Sequence, residues 1–127
     1  MDMIAFEANN ALFVSQVMPL SKAAYDAYQL KLAKRTAMMN TKNVALGIML
    51  YLGDNDDVFP PKDQMYDLVL PYTKDQSMTR NFVYTYGGPL DISKIENPSG
   101  TEIGYVNGPG GRAVAYADGH VKWIPNP

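Results

Sequence analysis

The chain has 127 residues, 46% of them apolar and 19% charged, and carries a net charge of −2 from 11 basic and 13 acidic side chains. This length fits one domain, or one domain with a protruding helix. The acidic balance argues against nucleic acid as a partner, since phosphate binding requires a basic face, and the absence of cysteine excludes a disulfide scaffold and a thiolate metal site.

Residues 1–19 read as a separate N-terminal segment. They are fairly apolar, but Asp2, Glu7, Asn9 and Asn10 interrupt them. A membrane-spanning helix needs ~20 continuous apolar residues, and a signal peptide has a basic start before an unbroken apolar run. Neither pattern is present in this stretch.

Residues 20–127 read as one domain, and its first element is a helix over 20–52. No glycine occurs from Met1 to Leu46, and small or apolar residues recur at Leu20, Ala23, Ala27, Leu30, Ala33, Ala37, Val44, Ile48 and Tyr51. Steps of mostly three and four mark one helical face. Lys22, Asp26, Lys31, Lys34, Arg35 and Lys42 form a solvated side. Pro19 kinks or starts the helix, Ser21 is a candidate N-cap, and Gly53 is placed to take the left-handed cap at its end.

The span 53–72 reads as a loop and a short helix. The loop is Gly53-Asp54-Asn55-Asp56-Asp57, and Met65, Leu68 and Val69 give Gln64–Pro71 helical spacing. An antiparallel sheet is predicted over 80–124. Its strands are Asn81–Tyr86, Thr101–Val106, Arg112–Ala117 and His120–Ile124. The last two flank Asp118-Gly119, the dipeptide of a type I′ hairpin turn. Consecutive strands without an intervening long helix make the sheet antiparallel. The fold class is therefore α+β, a long N-terminal helix packed on a small antiparallel sheet.

The chemistry-bearing residues are few. His120 is the only histidine, beside Asp118 at the hairpin, and no cysteine or serine elbow supplies a nucleophile. The checklist for catalysis is not met, so no enzyme is expected and no catalytic residue is assigned. Asp54, Asp56 and Asp57 are the densest carboxylate cluster, with spacing suited to Ca²⁺. The EF-hand pattern is incomplete, with no Gly at loop position six and no Glu at twelve. The alternative for these aspartates is turn capping. No other cofactor is expected. Gly-rich Asn107–Gly111 precedes a strand and lacks the ending of a phosphate loop. Tyr84, Tyr86, Tyr105 and Tyr116 either form a sugar-binding platform or fill one face of the sheet.

Four short blocks, in order, carry a resemblance over residues 37–124. The first is Asn40-Thr41-Lys42, Leu50-Tyr51 and Asp54-Asn55-Asp56-Asp57-Val58-Phe59-Pro60-Pro61. Leu70-Pro71-Tyr72 and Ile95-Glu96-Asn97-Pro98-Ser99 follow, and Ala113–Trp123 with Ala-Asp-Gly-His-Val at its centre is the last. Together they resemble bacterial type IV pilin-like and pseudopilin-like proteins with a prepilin N-terminal methylation segment. The methylation segment and spanning half-helix of that family are not seen in residues 1–19. The family's histidine ten residues before the Asp-Gly falls on Gly108, and its two common cysteines fall on Ala37 and near Asn81.

The resemblance implies a structural subunit of a type IV pilus-like or type II secretion pseudopilus-like filament, at the bacterial cell surface or outside the cell. It implies homo-oligomerisation through the N-terminal helix, no nucleic-acid partner, and membrane contact only through a segment not seen here. A helix over residues 12–52 would be about 60 Å long, against roughly 20 Å for four short strands. The assembly face is therefore assigned to Leu20, Ala23, Ala27, Leu30, Ala33 and Ala37. The alternative is an exported cell-surface module that binds a glycan or peptide.

Overall fold

The computed structural model describes residues 21–127; the segment 1–19 and Leu20 lie outside the described residues. By compactness the chain divides into Met1–Leu30 and Lys31–Pro127.

One helix, α1 (Lys22–Asp54), runs across that division. Its start is capped as the sequence predicts, because the Ser21 hydroxyl accepts a hydrogen bond from the Ala24 amide at 3.1 Å. In the first unit every described residue is exposed, and Lys22 pairs with Asp26 at 3.0 Å. That exposed pair is worth a few tenths of a kcal/mol, roughly 0.3–0.5.

In the second unit α1 gains a buried face made of Ala37, Thr41, Val44, Ala45, Gly47, Ile48, Tyr51 and Leu52. Thr41, fully buried, satisfies its hydroxyl on the Ala37 carbonyl at 2.7 Å. The end of α1 corrects one expectation. Gly53 stays inside the helix, and the left-handed residues are Asp56 (φ 57) and Asp57 (φ 60). Asp and Asn tolerate that region better than other side-chain-bearing residues. The Asp57 amide then reaches back to the Leu52 carbonyl at 2.8 Å, and the Asn55 amide side chain bonds the Tyr51 carbonyl at 2.8 Å. Carbonyls left over by the last turn are satisfied in this way.

Helix α2 (Met65–Thr73) is the predicted short helix, extended past Pro71, and it buries Met65 and Val69. Gly47 of α1 permits its close approach: a Cβ at that position would lie 2.7 Å from Thr73 Cγ2 and 3.3 Å from Val69 Cγ1. Helix α3 (Gln76–Asn81) was not predicted. Asp75 caps it by accepting from the Met78 amide at 2.9 Å. The strand expected over 81–86 is thereby shortened to β1 (Val83–Tyr84).

Strands β2 (Glu102–Gly108), β3 (Gly111–Tyr116) and β4 (Val121–Pro125) complete an antiparallel meander in the order β1-β2-β3-β4. The architecture is the α+β class that the sequence predicts. Alternate β3 residues Ala113 and Ala115, followed by Ala117, are fully buried in the same cluster as Val44, Ile48 and Phe59. Phe59 follows α1 and is held there by its amide, which donates to the Leu90 carbonyl at 2.7 Å.

The hairpin turn departs from the expected type. Tyr116 N–H donates to the His120 carbonyl at 2.9 Å, and Gly119 N–H donates to the Tyr116 carbonyl at 2.8 Å. Only Gly119 has positive φ (+94), whereas a type I′ turn requires it at Asp118 as well. The loop is therefore three residues, Ala117–Gly119, as in a type I turn ending in a glycine bulge. The glycine requirement survives. Gly119→Val is expected to cost about 1–3 kcal/mol for the forced backbone, read as a lower melting temperature; an unchanged value would show that this backbone geometry is not needed.

Candidate functional site

The Asp118–His120 pair sits at the β3–β4 turn. The Asp118 carboxylate accepts from the His120 amide at 3.1 Å and meets the imidazole Nδ1 at 2.5 Å. These contacts with His120, backbone first and then side chain, hold the Asp118 carboxyl below its ordinary value of 3.8. The imidazole stacks flat on Tyr116, with centroids 4.4 Å apart and planes 1° from parallel. These contacts fasten the hairpin. Asp118 and Gly119 lie in the turn between β3 and β4.

The aspartate cluster is not gathered. Among the described residues no three His, Cys, Asp or Glu side chains assemble as metal ligands, and Asp54, Asp56 and Asp57 are not brought together. The physical reason is local. Asp54 belongs to the last turn of α1 and accepts from the Tyr72 hydroxyl at 2.7 Å, while Asp56 and Asp57 sit in successive left-handed residues. That hydrogen bond, together with partial burial and the carboxylate's charge, raises the Tyr72 phenol above its ordinary value of 10.0.

The tyrosine platform is also absent. Tyr84, Tyr86 and Tyr116 are buried and Tyr105 is half-buried. Tyr84 donates to the Pro60 carbonyl at 2.9 Å, and Tyr86 donates to the Pro89 carbonyl. Burial raises both phenols above their ordinary value, that of Tyr84 strongly. Tyr84 thus anchors the loop that follows α1, and Tyr86 ties down the turn that follows β1.

The assembly face divides. Ala23, Ala27 and Leu30 are exposed in the first unit, Leu30 at 56%. Ala33 is exposed in the second. Ala37 is not part of any free face: it is 6% exposed, and a Cβ on Gly108 would lie 3.3 Å from its own Cβ. A small residue is needed at 37 because Gly108 of β2 lies against it. Leu20, the remaining assembly candidate, lies outside the described residues.

A second apolar face of α1 was missed. Met39, Leu46 and Leu50 are 57%, 57% and 50% exposed, and Leu32 is half-buried. Met39 and Leu46 each stand two residues from a buried position, Ala37 and Ile48 respectively. Two residues is more than half of a 3.6-residue turn, so this face points away from the core. Leu46 and Leu50 also line an open cleft of about 420 Å³, whose other wall is Tyr72, Thr73, Lys74, Asp75 and Met78. A search for apolar residues on one stripe conceals a second one, although the spacing 32, 39, 46, 50 was readable.

Comparison with protein-family models, with curated proteins and with solved structures finds no match for this chain. Among the described residues, no helix is long and apolar enough to cross a membrane.

Proposed function

We propose that this protein is a non-enzymatic structural subunit of a pilin-like filament at the bacterial cell surface, either a type IV pilus or a secretion pseudopilus. The observation that carries this reading is the uncovered start of α1: Ala23, Ala27, Leu30 and Ala33 are exposed on the stripe whose later members are buried. Alanines leave a flat surface on which a helix of another subunit can lie closely. The α+β architecture and the ordered blocks from Asn40 to Trp123 support the same reading through their resemblance to pilin-like proteins.

Ala27→Glu is the discriminating variant. Glutamate is a good helix former and the position is exposed, so the melting temperature is expected to move by less than about 0.5 kcal/mol equivalent. Filament formation, followed by electron microscopy, is expected to be lost, because a buried unpaired carboxylate at a close helix contact is costly. Filaments that persist in Ala27→Glu would remove this face from the assembly.

A second reading, an exported module that binds a glycan or peptide, rests on the cleft, where Asn40, Asn43, Lys74 and Asp75 offer donors and acceptors beside Leu46, Leu50 and Tyr72. Binding of a glycan or peptide that is lost in Asn43→Ala would favour it.

A further inference from the structure

We propose that the outward face of α1 in the second unit, formed by Met39, Leu46 and Leu50 with Leu32 at its rim, pairs with the same face of a second copy of this chain, the two helices running antiparallel. This contact is on the side opposite the buried residues of α1, so it is independent of the filament reading above.

The spacing identifies the partner as a helix. Leu32, Met39 and Leu46 recur at intervals of seven, with Leu50 four further on. A straight helix drifts by ~20° per seven residues, so a strict period of seven keeps one seam in register only against a second helix that supercoils around it. Exposures of 57%, 57% and 50% at Met39, Leu46 and Leu50 leave this seam without a cover among the described residues.

The charges identify the direction. Lys31, Arg35 and Lys42 are exposed near the first part of the seam, and no acidic residue stands between Lys31 and Gly53. Asp54, Asp56 and Asp57, all exposed, end it. The ion pairs among the described residues, Lys22–Asp26, Arg112–Glu102 and His120–Asp118, lie elsewhere. A parallel, in-register pair sets bases against bases and acids against acids. An antiparallel pair sets the basic half of each helix beside the acidic end of the other. It also brings cations to a helix C-terminus whose own charges oppose the macrodipole, and it aligns the two dipoles favourably.

The cleft identifies the register. With the Arg35 of one copy opposite the Asp54 of the other, Met39 falls opposite Leu50, and Asn43 opposite Leu46. Met39 then enters the opening of about 420 Å³ between Leu46, Leu50, Tyr72 and Met78. An unbranched, polarizable side chain suits an irregular hole of this kind.

Sedimentation of the full chain tests the pairing. A concentration-dependent dimer is expected, weakened at least tenfold in Leu46→Glu with helix content unchanged by circular dichroism, and weakened in Arg35→Glu. Because the chain has no cysteine, direction is read by disulfide trapping. A Met39→Cys chain mixed with a Leu50→Cys chain is expected to cross-link between them, and Met39→Cys alone is not. A monomer at all concentrations, a dimer insensitive to Leu46→Glu, or preferential self-cross-linking of Met39→Cys would overturn the proposal. Loss of the dimer in Ala27→Glu instead of Leu46→Glu would also overturn it, by moving self-association to the alanine face.

Discussion

Replacing Phe59 by alanine is expected to destabilise the protein by about 3–5 kcal/mol, the range for deleting a fully buried aromatic ring. Phe59 has no exposed surface, and its ring lies 4.9 Å from that of Tyr86. The chain on either side is tied down. Val58 bridges Asp91, the Phe59 amide bonds the Leu90 carbonyl at 2.7 Å, and the next carbonyl, that of Pro60, accepts from Tyr84 at 2.9 Å. These bonds prevent the segment from collapsing into the space left by the ring, so the cavity term is retained. A chain of this size should lose more than about 10 °C in melting temperature. A loss below about 1 kcal/mol would mean that the loop after α1 repacks freely.

Gly104→Val is expected to be the most damaging substitution in the sheet. Gly104 is buried and faces Tyr84 of β1 across the ladder, next to an irregularity between Glu102 and Gly104. A Cβ there would lie 2.4 Å from two atoms of the Phe82 ring and 2.5 Å from the Val83 carbonyl oxygen. The ring can swing aside at some cost, but the carbonyl belongs to the paired backbone. The insertion therefore forces β1 off β2, at a cost at or above the upper end of the roughly 1–3 kcal/mol range for overpacking. Since β1 has only two residues, its pairing cannot absorb the shift. Chemical denaturation should give a lower midpoint, with Gly104→Ala intermediate; wild-type stability in Gly104→Val would show that β1 pairing contributes nothing.

How much of this was readable from the sequence differs by element. The helix over 20–52 and the β3–β4 hairpin were legible because each rests on a strong local signal. One is a long glycine-free run with three-four spacing; the other is two β-rich runs around Asp118-Gly119. The type of turn was not legible. A dipeptide does not reveal that Ala117 leaves the ladder to make a three-residue loop.

Helix α3 was concealed by the aromatic and β-branched run from Phe82 to Tyr86, which drew the strand back to Asn81. The available counter-signal was Asp75 as an N-cap before Gln76. The site residues fared according to context. Asp118 and Gly119 sit in a turn that the dipeptide itself signals. Ala37 was misplaced, because only the three-dimensional approach of Gly108 distinguishes a covered alanine from a free one. The aspartates of the α1 loop were read as possible ligands because spacing along a chain does not report where the carboxylates point.

The central claim, a filament subunit at the cell surface, is tested most directly by immunogold electron microscopy of the cells that make the protein, using antibodies raised against Lys31–Pro127. The account predicts gold particles in linear arrays along surface fibres, lost when the chromosomal copy carries Ala27→Glu while the protein remains folded and present. Diffuse cytoplasmic label with no fibres, or fibres unaffected by Ala27→Glu, would contradict it.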